Sequence, residues 1–164
     1  MIRHLIDLFR GFPPELVTLL IGALPLAELR GGIPAGLALG LSMRKAFFWA
    51  CLGNLLPIAP TLLLLQPVSN WLRQWPLWKR FFDWLFTRTE KKADLVRKYE
   101  ALGLALFVAV PLPMTGAWTG CVAASLFKLP FRLAFLSISA GVLGAGVLVS
   151  LAIQVGLKIF YGSL

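Results

Sequence analysis

Residues 24–40 read LPLAELRGGIPAGLALG, from Leu24 to Gly40. Both ends are apolar, yet the middle holds Glu28, Arg30, Gly31, Gly32 and Pro34, with Pro25 just upstream. Each charge costs about 2.5–3.5 kcal/mol at the centre of a membrane-spanning helix. The two glycines weaken a helix at the same place, and Pro34 removes one of its hydrogen bonds. Non-helical backbone at membrane depth is tolerated only where protein or a water-filled cavity surrounds it. The stretch therefore predicts the bend of a broken or re-entrant helix, centred on Glu28–Pro34 and lining a polar site.

The rest of the chain supplies the membrane-grade context. Of 164 residues, 59% are hydrophobic, and the mean hydropathy is +0.81. Soluble domains run nearer 45–50% apolar, so the composition points to an integral membrane protein forming one membrane domain, 1–164. The net charge of +9 does not imply nucleic acid, because most cations lie between or beside apolar runs. Anionic lipid headgroups are the partners such cations meet. Cys51 and Cys121 lie in apolar segments without CxxC or Cys/His spacing and read as small core residues. Asp7 and Pro13-Pro14 interrupt the first apolar run, which argues against a cleaved signal peptide.

Working outward, residues 1–12 suit a short interfacial helix that Pro13-Pro14 ends. Leu16–Leu26 and Ile33–Leu41 are arms each too short alone to cross a core needing about 20 residues; a single kinked span over 16–41 is the rival parse, which length does not exclude. Ala46–Leu65 is an uncharged spanning helix, made irregular by Gly53, Asn54, Pro57 and Pro60; its Asn54 calls for a partner within the protein. Residues 67–100 form a basic, aromatic interfacial loop, in which Trp71, Trp75, Trp78 and Trp84 interleave with cations. Thr87–Glu100 reads as a solvated helix with Thr89 as N-cap. Ala101–Leu112 and Cys121–Phe127 are again short arms, flanking Pro111, Pro113, Thr115, Gly116, Trp118, Thr119 and Gly120. Leu133–Ile153 is the second span, and its Ser137, Gly141 and Ala145 form a small-residue face for close helix approach.

The two halves repeat, unit one over about 11–66 and unit two over about 101–156. At an offset of 84, Gly32 falls on Gly116, Gly36 on Gly120 and Arg44 on Lys128. Before the bend the offset is 86, bringing Ala23-Leu24-Pro25-Leu26 onto Ala109-Val110-Pro111-Leu112. If each paired-arm segment is re-entrant, each unit crosses the membrane once and the second unit is inverted. The fold expected is thus an all-α integral membrane protein: an inverted-topology repeat of two units, each a re-entrant helical hairpin plus a spanning helix. Such a plan places the binding site of a secondary transporter between the two bends. With Arg30 set aside, ten cations lie on the side of the central loop and five on the other. The positive-inside rule then puts the loop in the cytoplasm and both termini outside.

ELRGGIPAG in the first half and PLPMTGAWTG in the second resemble the small multidrug export proteins, regarded as relatives of the DedA/VTT superfamily. The resemblance covers nearly the whole chain. It implies two re-entrant hairpins facing each other near the membrane centre, in a bacterial or archaeal plasma membrane. It also implies transport, which in DedA-like proteins involves undecaprenyl-phosphate or other lipids and often an ion gradient. Glu28 matches the acidic residue of the first DedA hairpin. The second usually carries arginine, whereas residues 111–120 here carry no charge.

Candidate substrate or ion ligands are Glu28, Arg30, Gly31, Gly32, Pro34, Pro111, Pro113, Thr115, Gly116, Trp118 and Thr119. No Ser/His/Asp, Cys/His or metal-ligand spacing is present, so neither an enzyme nor a cofactor is expected. Three functions stay open. An anionic-lipid or lipid-linked phosphate transporter would hold its anion on Arg30 and hairpin-tip N–H groups. A small-molecule exporter would carry its coupling proton on Glu28, with sodium as the other coupling ion such sites serve. A non-transporting scaffold would use the bends only for packing. Assembly of several copies is compatible with all three.

Overall fold

Leu24 stands before a proline, and this decides where the first helix stops. A residue preceding proline is disfavoured in the helical region, and Leu24 takes the extended value ψ 135°. In the computed structural model, which describes residues 11–72, 93–110 and 115–162, helix α1 accordingly runs Pro14–Ala23 and α2 runs Glu28–Ala38. The bend thus lies at residues 24–27, not within Glu28–Pro34 as the glycine and proline content implied. Gly31, Gly32 and Pro34 all sit inside α2. Pro34 leaves the Arg30 carbonyl without its usual helical donor, while its ring is exposed.

Helices α3 (Met43–Leu55) and α4 (Ile58–Leu72) follow, then α5 (Ala93–Ala109), α6 (Ala117–Leu126) and α7 (Phe131–Gly162). Pro57 separates α3 from α4 by removing a ladder donor. The described residues are all helical outside short turns. Met43–Leu65 and Phe131–Ile159 are both long and apolar enough to span a membrane, with only 33% of each apolar window buried. Large side chains such as Leu63, Leu64, Leu136, Leu151 and Ile159 point outward, as lipid-facing helices require. Helix α5 starts at Ala93, so the solvated helix and the short arm expected from Ala101 are one continuous element. Residues 1–10, the Thr89 cap, most of the aromatic belt, Pro111 and Pro113 lie outside the described residues.

Small residues set how closely these helices meet. A Cβ on Gly22 would strike the Ala50 carbonyl, and one on Gly36 would lie 2.8 Å from Thr18 Oγ1 and 2.9 Å from Ala46 Cβ. Helix α1 therefore packs parallel to α3 and antiparallel to α2. Glu15, in the first turn of α1, reaches Lys45, in the first turn of α3, at 3.8 Å. In the second half, Gly141 abuts the Ala105 carbonyl and Val108, while Gly144 abuts Ala109. Helix α5 likewise runs parallel to α7, along the small-residue face expected there.

The local geometry recurs. Leu39, Gly40 and Leu41 donate to the carbonyls of Ala35, Leu37 and Gly36, and 88 residues later Phe127, Lys128 and Leu129 donate to those of Ala123, Ser125 and Ala124. Gly40 (φ +88°) and Lys128 (φ +51°) take the left-handed cap position in the two turns. Gly53 meets the Leu19 carbonyl as Gly141 meets that of Ala105, with the first arms offset by 86. The offset of 84 read from glycine matches is thus one helical turn short. Its matched glycines share an identity but not a place: Gly32 corresponds to Gly120, and Gly116 to Glu28.

Candidate functional site

Glu28 opens α2 in a left-handed conformation, φ +46°. For a non-glycine residue this costs on the order of 1–2 kcal/mol. The conformation turns the side chain away from its own helix and into the second half. There its carboxylate accepts the backbone N–H groups of Ala117 and Trp118, the first two residues of α6. Those N–H groups have no partner within their own helix, and the helix dipole favours an anion at this end. Glu28 therefore acts as a cap for a helix almost 90 positions away. Gly116 makes the approach feasible, because a Cβ there would overlap the Glu28 carboxyl.

Arg30 makes the second crossing. Its Nη2 donates to the Thr115 carbonyl at 2.6 Å and lies 3.3 Å from Thr115 Oγ1. Thr115 Oγ1 donates in turn to the Val110 carbonyl at 2.8 Å. The return contact comes from Trp118, whose Nε1 donates to the carbonyl of Ala23, the last residue of α1, at 3.3 Å. At the 88-residue offset, Trp118 is the counterpart of Arg30. Each unit thus sends a side chain from the first turn of its second arm onto backbone at or beside the other unit's bend. The two ends of the polar stretch tie the halves together.

Behind this clasp lies a small cavity, bordered by Glu28, Arg30, Asn54, Gly116, Val142 and Ala145 among others. Its enclosed space has room for roughly one water molecule. Asn54 is 1% exposed, and its Oδ1 has no hydrogen-bond partner among the described residues. The partner expected for Asn54 is absent on that side. A buried orphan acceptor costs about 1–3 kcal/mol, so Asn54 joins the site although it is not among the ligands expected from sequence. The available signal was its position as the lone amide in the apolar run 46–65.

Of the expected ligands, Glu28, Arg30, Thr115, Gly116 and Trp118 meet at the clasp. Thr119 stands one turn into α6, its hydroxyl donating to the Gly116 carbonyl at 3.1 Å. Gly31 packs on Ala27 and Ile21, and Gly32 on Ala50 and Gly22; both are packing points away from the cavity. Pro34 faces outward. Cys51 and Cys121 are free and buried, with the Cys121 thiol 4.0 Å from the Ile58 carbonyl. The anion-receiving groups of the site, Arg30 and the α6 N-terminus, are already engaged by Thr115 and Glu28. That leaves the lipid-phosphate reading without support.

No curated protein and no solved structure matches the chain, and nothing among these comparisons links it to the DedA superfamily. A match does exist to a protein family whose name states an inferred activity, and it covers residues 28–148, from Glu28 through the centre of α7. With its two apolar spans and outward-facing leucines, the chain is a membrane protein that belongs to the small multi-drug export protein family.

Proposed function

We propose that the protein is a proton-coupled exporter of small amphipathic cations in a plasma membrane, and that the Glu28–Arg30 clasp is its gate. The observation that carries this reading is the Glu28 carboxylate seated on the first N–H groups of α6. A charge-assisted hydrogen bond is roughly twice as strong as a neutral one. Adding a proton to Glu28 removes the charge that the α6 N-terminus holds, and the two bends are then free to separate. Among the described residues Glu28 is the one carboxylate bordering the cavity, and its hydrogen bond to the Trp118 backbone brings an aromatic residue next to it in the chain of contacts. A cation suits that pair, whereas an anion would have to displace Glu28 from α6.

In this reading the α1–α2 and α5–α6 pairs are re-entrant hairpins. Ten residues of α1 rise about 15 Å, half the depth of a core about 30 Å thick. The bends meet beside Asn54 and Ala145, close to the midpoints of the two spans. Each unit then crosses once, and a connection through 73–92 that stays on one side inverts the second unit.

The test is efflux of a fluorescent cationic dye from proteoliposomes under an imposed pH gradient, with labelled polyprenyl phosphate as a second cargo. Glu28→Gln is expected to fold and to lose at least ten-fold of the gradient-driven dye flux. Full dye transport by a stable Glu28→Gln/Arg30→Ala variant would remove the gate, and movement of the polyprenyl phosphate alone would restore the lipid reading.

A further inference from the structure

Asn54 and Val142 are counterparts at the 88-residue offset, and both border the cavity. Val142 is 0% exposed, so an apolar side chain fills that place in the second unit without difficulty. Packing therefore does not call for an amide in the first. Yet Asn54 borders the cavity at 1% exposed, and its Oδ1 has no donor among the described residues. Every other group on that wall is either hydrogen-bonded or apolar. An acceptor left unmet in the closed state is explained if a donor arrives in another state.

We propose that Asn54 is the receiver of the proton-bearing Glu28. Resting on the reading of Glu28 as proton carrier, this adds the residue that holds the carrier once it is loaded. An ionised carboxylate only accepts hydrogen bonds, and Glu28 accepts two from α6. A protonated carboxyl gains one O–H donor and loses its hold on the helix terminus. The proton taken from water ends on a Glu28 oxygen, and that O–H donates to Asn54 Oδ1, directly or through one bridging water. No other bond is made or broken. The N–H groups of Ala117 and Trp118 are released by the same movement, so loading and unclasping are one event.

The surroundings leave few competitors. On its own helix Glu28 has the charged Arg30, and α6 contributes the Cys121 thiol within electrostatic reach. From α3, α5 and α7 the cavity wall presents Asn54, Val108, Val142, Ala145 and Val149, none of them titratable. Asn54 is thus the acceptor the wall offers to a neutral Glu28.

The experiment is infrared difference spectroscopy between high and low pH on the full chain in lipid nanodiscs. The carboxylic-acid carbonyl band of Glu28 is identified by its loss in Glu28→Gln. In Asn54→Leu that band should shift to higher frequency, and its midpoint pH should fall by about half to one unit, the equivalent of one lost hydrogen bond. Asn54→Ser, which keeps an acceptor, should recover part of both shifts. Thermal stability of Asn54→Leu should be unchanged or higher, since the closed state loses an orphan and not a bond. A band and midpoint identical to wild type in both variants would overturn the proposal, as would destabilisation of Asn54→Leu with no spectral change. The transport assay can fail independently: a Glu28 band that responds to Asn54 in a protein moving no dye would keep this inference and reject the exporter.

Discussion

Gly116 and the Glu28 carboxyl compete for the same space, so their effects on stability must be coupled. A methyl group at 116 would overlap the Glu28 carboxyl and push it off the α6 N-terminus. Gly116→Ala is expected to cost about 1–3 kcal/mol, read as thermal or denaturant stability in detergent. In a Glu28→Ala background the same substitution should cost clearly less, a coupling that a double-mutant cycle measures. Equal costs in both backgrounds would mean that the two residues do not meet. A second residue-scale prediction uses the recurring turn. Gly40 and Lys128 both occupy the left-handed cap position, at φ +88° and +51°, but only glycine takes it without a steric penalty. Gly40→Ala should lower stability by roughly 1 kcal/mol, whereas Lys128→Gly should raise it by roughly 0.5 kcal/mol. Shifts of the same sign would contradict the shared geometry.

Helix packing here depends on where backbones touch, and the glycines do not all serve it. Gly53 lies against the Leu19 carbonyl, while nothing comes within 4 Å of a Cβ built on Gly103. Gly53→Ala should therefore separate α1 from α3 and cost about 2 kcal/mol or more. Gly103→Ala should add about 0.5–1 kcal/mol through helix propensity alone. Comparing the two variants by thermal unfolding separates a packing role from a conformational one. Parallel packing within each unit follows from such contacts: Gly36 lies between Thr18 and Ala46 and Gly32 between Gly22 and Ala50, which aligns α1 with α3, as Gly141 on Ala105 and Gly144 on Ala109 align α7 with α5. The sequence made the glycine content plain but left these uses undistinguished. Gly31, Gly32 and Gly116 look alike in a motif, and only their neighbours separate two packing points from a site residue.

The sidedness of the whole molecule follows if each helical pair returns to its starting surface. Single cysteines replacing Arg10 and Arg44, in a background with Cys51 and Cys121 changed to Ala, should then label from one side of intact cells, and one replacing Arg97 from the other. Labelling of positions 10 and 44 from opposite sides would make the first pair a kinked span and remove the inversion. The same measurement reads orientation: the charge count puts position 97 on the cytoplasmic side, so label access there from outside would reverse it. The short contact between Glu15 and Lys45 already places the starts of α1 and α3 together, as a returning hairpin requires.

Features legible along a single segment were local ones. Apolar run lengths decided that 46–65 and 133–153 are spanning material, because crossing a fixed thickness of hydrocarbon is a property of one segment. Where the first arm stops is misread from sequence: the bend lies at 24–27 and not at Glu28–Pro34, because proline restricts the residue before it. The cost of charge in lipid marked Glu28 and Arg30 as residues with a purpose. The tertiary structure decided what they hold. Arg30 meets a residue 85 positions away, Glu28 meets the N-terminus of α6, and Asn54 meets no donor for its oxygen; such facts depend on how two units dock, which no spacing along one segment encodes. The repeat register fell between the two. Gly and Ala recur too often in apolar sequence to fix an alignment to within one helical turn, and hydrogen bonds at the turns resolve it because each engages one particular carbonyl.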